Sequence, residues 1–262
     1  MSLPAFVINL DRAPERLEHF RAEAHAAGLG FERLQAVDAS LMTPAQCMAW
    51  VDKSAIYALS PSEIGCILSH RLAWEKIAAS GAAWGAVFED DACLSKDLGL
   101  ILAQAAAAPE DIDIIKLEAT GGEKILLDPN RLPFAGRHMQ KLRGLSVGSA
   151  GYLISSRACR RLIEAPRHYA VPLDVYLFST RRGAFRNLSV AIIAPAPVVQ
   201  SCKRTQGLDE PVLASQITDR RQRILPRLSP AQLVKREIHR VIDRLSSKFR
   251  ARGAEKVAID WE

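Results

Sequence analysis

Residues 60–91 read SPSEIGCILSHRLAWEKIAASGAAWGAVFEDD, and this stretch decides the fold class. Ser60 is a helix-capping residue, Pro61 suits a first turn, and Glu63 is spaced to reach back to the cap as in a capping box. Ile64, Ile67, Leu68 and Ile77 then share one helical face, and Gly81 stops the helix. Trp84–Phe88 follows as a short apolar run of strand type, releasing Glu89, Asp90 and Asp91 at its carboxyl end. A helix feeding a buried strand is the repeating unit of an α/β sheet.

The same alternation extends in both directions. Upstream, Ala5–Leu10 reads as a buried strand, Pro14 opens a helix with an apolar stripe of Leu17, Phe20 and Ala24, and Phe31–Val37 reads as a second strand. Downstream, a helix is predicted over 96–108, a strand over 112–117, and loops with short strands over 118–147. A strand over 149–154, helices to about Glu164 and from Pro172, and a strand over 190–194 complete the pattern. The expectation is an α/β domain with a mainly parallel central sheet flanked by helices, spanning residues 1–215. From Pro230, Val234, Ile238, Val241, Ile242, Leu245 and Phe249 recur at helical spacing, with Lys235, Arg236, Arg240, Arg244 and Lys248 on the other faces. Residues 216–262 are therefore expected to form a basic amphipathic helical tail.

Charge supports that division. Residues 220–252 hold eleven Lys or Arg against two acids, a balance of +9, which leaves −3 for the rest of a chain that carries +6 overall. The high pI belongs to the tail. No aromatic stacking surface accompanies the arginines, which argues against nucleic acid as a partner. The uncharged stretches, among them Ile77–Phe88, Leu98–Pro109 and the longest, Asn187–Cys202 at sixteen residues, fall short of the roughly 18 residues that a membrane span needs. No secretory signal is read at the start of the chain. Five cysteines, an odd number without metal-ligand spacing, fit reduced thiols in a cytoplasmic protein.

Four constellations carry chemistry. Glu89, Asp90 and Asp91 leave a strand where open α/β sheets bind ligands. Adjacent carboxylates repel one another unless a cation or donors compensate, and hard oxygen ligands suit Mg2+ or Mn2+, which also hold a diphosphate. The alternative is a solvated acidic turn capping the next helix. Ser69, His70 and Arg71 lie in the 60–80 helix and either present donors to a phosphate or ribose or serve packing. Gly148, Ser149, Ala150 and Gly151 allow close backbone approach by a ligand or another strand. Asp174, in the first turn of a short helix, is either a general base or a partner of the helix dipole.

In this order and spacing, the motifs resemble glycosyltransferase family 25. FVINLDRAPERLEHF matches that family's opening strand and N-L-x-R-x-x-x-R signature, here Asn9, Leu10, Arg12 and Arg16. LSPSEIGCILSHRLAW with AVFEDDA, then VGSAGYLIS, PLDVYL and PAPVVQS, match its later blocks, over about residues 5–202. The resemblance implies a GT-A-type nucleotide-sugar-binding fold and a UDP-sugar donor. It also implies inverting transfer of a hexose to a saccharide or lipid-linked saccharide of lipooligosaccharide type. On that basis Glu89 and Asp91 are assigned to a Mn2+ or Mg2+ ion, and Asp90 to the ribose or sugar. Asn9, Leu10, Arg12 and Arg16 go to the uridine end, Ser69 and His70 to the nucleotide, and Gln200 to a diphosphate or metal contact. Asp174 is the expected base and Glu118 the reserve. Gly148, Ser149, Gly151 and Tyr152 would floor the acceptor site, with Tyr152 stacking on a sugar. The tail would seat the protein on the anionic inner leaflet. A rival reading is an inactive glycan- or lipid-binding protein on the same fold.

Overall fold

The computed structural model describes residues 3–52, 59–180, 188–201 and 252–262, together with 230, 231, 233, 234, 237 and 238. The chain begins with β1 (Ala5–Asn9), α1 (Pro14–Ala26), β2 (Glu32–Gln35) and the short α2 (Pro44–Met48). Next come α3 (Pro61–Ala79), β3 (Trp84–Glu89), β4 (Ala92–Leu94) and α4 (Leu98–Ala103). Then follow β5 (Ile114–Lys116), β6 (Lys124–Leu127), β7 (Leu132–Phe134), β8 (Arg137–Lys141) and β9 (Gly151–Ser155). The remaining elements are α5 (Ser156–Glu164), α6 (Leu173–Phe178), β10 (Val190–Ala194), β11 (Val198–Gln200) and β12 (Glu255–Ala258).

Eight strands form one sheet in the order β2-β1-β3-β9-β5-β10-β8-β7. Six point one way, and β8 and β9 run against them. The sheet is thus mainly parallel in strand direction, although four of its seven pairings are antiparallel. The chain leaves β5 at the carboxyl end of the sheet and makes an excursion through residues 117–150. It re-enters from that same end, so β9 must run backwards between β3 and β5. This places the 146–150 loop next to the carboxyl end of β3, with Gly151 opposite Phe88.

Packing follows the two-residue period of a strand covered on both faces. Phe6, Ile8, Val87, Tyr152 and Ile154 face a core shared with Ile64, Ile67 and Trp74 of α3, Leu162 of α5 and Leu177 of α6. Ala5, Val7, Ala86, Phe88 and Leu153 face a second core with Leu17 and Phe20 of α1 and Ile101 of α4. Both bonds of the predicted capping box are present: Ser60 Oγ accepts from Glu63 N at 3.2 Å, and Glu63 accepts from Ser60 N at 2.7 Å. Such a cap stabilises its helix by about 1 kcal/mol.

Two expectations are corrected. The helix predicted over 96–108 ends at Ala103, followed by a 3-10 turn over Ala105–Ala107. Ala108 is extended because it precedes Pro109, which disfavours the helical region for its neighbour. The end of the 216–262 segment also belongs to the main body. There β12 pairs antiparallel with β6, and Ile259 is buried in the first core. Of the basic helix, the described residues within 230–238 are helical, with Leu233, Val234 and Ile238 exposed. Lys235, Arg236, Arg240, Arg244 and Lys248 lie outside the described residues.

Candidate functional site

The acidic turn sits where β1 and β3 end side by side. Asn9, the last residue of β1, is buried. Its Nδ2 donates to Asp90 Oδ2 at 2.7 Å and to the Ala13 carbonyl at 2.9 Å, while its Oδ1 accepts from Arg33 Nε at 3.0 Å. Arg16, in the first turns of α1, places one guanidinium nitrogen 2.8 Å from Asp90 and 2.9 Å from Asp91. Glu89 accepts a short bond from the Ser149 hydroxyl and lies 3.6 Å from His70 Nε2.

These contacts divide the three carboxylates. Burial alone would raise Glu89, but His70, Ser149 and Arg16 outweigh it and hold the group below its ordinary value. Burial raises Asp90 despite Arg16 and Asn9. Burial, and then repulsion from Glu89, pushes Asp91 up to about 7, with Arg16 offsetting only part. One oxygen of Asp91, Oδ1, is buried and has no hydrogen-bond partner among the described residues. A buried acceptor left unpaired costs about 1–3 kcal/mol, and a divalent cation at that oxygen would remove the cost. The residues present therefore fit the Mg2+ or Mn2+ ion expected there. Gln200 pairs with Ala92 through β11 and β4, and Ser201 N donates to the Asp91 carbonyl at 2.9 Å. The β11 strand thus braces the acidic turn from the other side.

The 146–150 loop touches three carboxylates at once. Gly148 N donates to Asp174 Oδ2 at 3.1 Å, Ala150 N donates to Glu118 Oε2 at 3.1 Å, and Ser149 bonds Glu89. Gly148 has φ +87° and lies so close to Glu118 that a Cβ would sit 2.3 Å from its Oε1, so only glycine fits. Below the loop, Lys116 is fully buried. Its ammonium donates to Ser146 Oγ at 3.0 Å and to the carbonyls of Val147 and Gly148 at 2.5 and 2.8 Å. It also lies 3.6 Å from Glu118 and 4.8 Å from the Phe178 ring.

The structure sorts the expected residues. Glu89, Asp90, Asp91, Asn9, Arg16, His70, Ser149, Gly148 and Asp174 gather around the carboxyl end of β3. Asp174 is half-buried and Glu118 fully buried, so of the two base candidates Asp174 is the one open to a ligand. Ser69 is taken up by backbone, donating to Gly65 O at 2.7 Å and accepting from Val37 N at 2.8 Å. Arg12 is exposed and pairs with Asp38, and the Leu10 carbonyl accepts from Ala13 N at 3.0 Å. Tyr152, expected to stack on a sugar, exposes no ring face to a ligand. Its hydroxyl is held at 2.8 Å by both His70 Nδ1 and Trp74 Nε1, and its ring is wholly buried. Gly151 likewise serves packing, since a Cβ there would press on Phe88 and Val198.

Four participants were not picked out as site residues in the sequence: Arg33, Cys66, Trp74 and Lys116. Cys66, His70 and Trp74 succeed one another at four-residue intervals on α3, a spacing that puts them on one face. Arg33 and Lys116 carry no local signal. A separate cleft of about 880 Å³ opens at the other end of the sheet, between the starts of β1 and β3. It is lined mostly by glycine, alanine and apolar residues, such as Gly30, Ala83 and Leu102, and offers no comparable chemistry.

The model of glycosyltransferase family 25 (LPS biosynthesis protein) matches residues 2–177. The lacto-N-neotetraose biosynthesis glycosyltransferase LgtE of Neisseria meningitidis serogroup B is 32% identical over 184 residues, covering 66% of this chain and 65% of its own. The lipooligosaccharide biosynthesis protein lic2B of Haemophilus influenzae is 25% identical over 204 residues, covering 74% and 75%. Procollagen galactosyltransferase 1-A of Xenopus laevis is 27% identical over 185 residues, covering 66% of this chain and 30% of its own. The matched stretch spans 59% to 75% of the length of the bacterial relatives. Among solved structures, the inositol-1-phosphate CTP transferase of T. maritima gives a TM-score of 0.38 at 8% identity, over 75% of this chain and 69% of that one. That likeness is too slight to carry an argument. On the family match, which covers well over half of its residues, the chain belongs to glycosyltransferase family 25.

Proposed function

We propose that this chain transfers a hexose, galactose or glucose, from a UDP-sugar to a saccharide acceptor of lipooligosaccharide or a related glycan, with inversion, on a GT-A-type fold. The observation that carries this reading is the acidic turn. Of its three consecutive carboxylates, Asp90 and Asp91 share one arginine, and among the described residues a buried oxygen of Asp91 has no partner. Relatives named for lipooligosaccharide and lacto-N-neotetraose biosynthesis, and a procollagen galactosyltransferase, support a hexose donor.

Glu89 and Asp91 would hold Mn2+ or Mg2+, which when bound neutralises charge building on the departing diphosphate. Arg16 and Asn9 hold Asp90 toward the ribose or sugar. The acceptor hydroxyl attacks the anomeric carbon on the face opposite the diphosphate. A new carbon–oxygen bond forms, the bond to the diphosphate oxygen breaks, and UDP leaves. Asp174, fixed by Gly148 N, takes the hydroxyl proton. Glu118 keeps the loop in register and does not itself reach the acceptor. The exposed apolar side chains of Leu233, Val234 and Ile238, in a segment rich in lysine and arginine, are read as an attachment to an anionic membrane surface. Among the described residues, no helix is long and apolar enough to cross a membrane.

The deciding experiment is a panel of nucleotide sugars assayed for hydrolysis and transfer with manganese and with a chelator. Manganese-dependent turnover of UDP-galactose or UDP-glucose is expected. Binding of glycans without turnover of any nucleotide sugar would favour the inactive binding protein instead.

A further inference from the structure

We propose that Cys66, His70 and Glu89 form a second cation site, selective for a thiophilic divalent ion of the Zn2+ class. This site would exclude the Mg2+ or Mn2+ site through the shared Glu89. The exclusion rests on the function proposed above; the binding itself does not.

Three observations carry the inference. One ligand atom from each residue lies within 4.8 Å of the others. Cys66 and His70 are four residues apart on α3, and Glu89 comes from the adjoining end of β3. His70 is fully buried, and its Nε2 has no hydrogen-bond partner among the described residues. Its distance to Glu89 Oε1 is 3.6 Å, too long for a hydrogen bond. That distance is close to the roughly 3.4 Å that separates nitrogen and oxygen ligands on a tetrahedral Zn2+.

The imidazole is also oriented as a ligand should be. Its other nitrogen, Nδ1, is fixed by the Tyr152 hydroxyl, which Trp74 Nε1 holds in turn. Such an outer partner aims the free nitrogen and preserves its direction. Sulfur and imidazole select Zn2+ over Mg2+ and Mn2+, which prefer oxygen. Three protein ligands leave the fourth tetrahedral position open to water or a phosphate oxygen. With Glu89 engaged in this way, Asp91 loses its co-ligand for the hard cation.

A competing cluster allows a sharp test. His19, Glu23 and Cys93 also bring three ligand atoms within 4.8 Å. Co2+ is titrated into the reduced full-length chain and followed by absorbance. One equivalent should produce a thiolate-to-cobalt charge-transfer band that Zn2+ displaces. The band should vanish in Cys66→Ser and His70→Gln, both checked for folding by circular dichroism, and persist in Cys93→Ser. Without any substitution, Zn2+ should slow alkylation of Cys66 on the order of tenfold, because the metal occupies the sulfur lone pair that would otherwise attack, read by peptide mass. No band, a band that survives Cys66→Ser and vanishes in Cys93→Ser, or unchanged alkylation of Cys66 would overturn the site. Zn2+ binding that leaves Mn2+ affinity unchanged would overturn the exclusion.

Discussion

The acidic turn and the 146–150 loop lie side by side, yet they are built on opposite principles. Glu89, Asp90 and Asp91 are consecutive, and their charge is left under-compensated, with Asp91 Oδ1 unpaired. The loop collects Lys116, Glu118 and Asp174 from distant segments and gives each of them partners. A saturated network sets geometry, whereas an unsatisfied one is ready to accept a ligand. The contrast therefore assigns scaffolding to the loop and binding to the turn, with Asp174 at the boundary.

The largest expected effect falls on that boundary. Asp174→Asn should keep donor binding and lower kcat by about 10²- to 10⁴-fold, the usual contribution of general base catalysis. Near-normal transfer would move the base elsewhere. The scaffold side is tested by stability. Lys116→Met removes one partner of a buried pair and leaves Glu118 uncompensated, so denaturant unfolding should show a loss of about 3–5 kcal/mol. Gly148→Ala should cost roughly 1–3 kcal/mol from its positive φ alone, with the Glu118 clash adding to it. A loss below that range would mean that the loop yields easily.

The smallest effect distinguishes the turn by its sign. Burial and the neighbouring Glu89 push Asp91 up to about 7 in the folded protein, from an ordinary value of 3.8. A raised carboxyl pKa gives stability that is complete below the unfolded value and is lost as pH rises through the folded one. The metal-free protein should therefore lose thermal stability between about pH 4 and pH 8. Asp91→Asn should flatten that loss and gain about 2 kcal/mol at pH 8, less than the ~4 kcal/mol of three pKa units because Arg16 loses a partner. A thermal melt series over pH, with and without manganese, reads this directly. Thus a substitution in the turn is expected to stabilise, while substitutions beneath the loop destabilise.

The same contrast explains what the sequence disclosed. The turn and the helix before it were legible because their signals are local: Ser60 and Glu63 are three residues apart, and the carboxylates are contiguous. The loop was legible only as a run of small residues. Its partners come from 30 residues away, as Lys116 does for Ser146, or from 26, as Asp174 does for Gly148. Tyr152 was misread because all five residues of β9 are buried, so no alternation marks which side chain faces a ligand. The reversed direction of β9 and the return of β12 to β6 depend on long connections that residue patterns do not encode. Cys66 carries no signal of its own in the sequence, because its meaning depends on Glu89, which only the fold brings near.

The central claim is that Glu89 and Asp91 grip a cation that in turn holds the donor diphosphate. Calorimetric titration of UDP into the full-length chain tests it most directly, with manganese, with a chelator, and in Asp91→Asn. Binding should require manganese and be lost in the variant. Equal UDP affinity with and without manganese, or undiminished manganese-dependent binding in Asp91→Asn, would contradict the account.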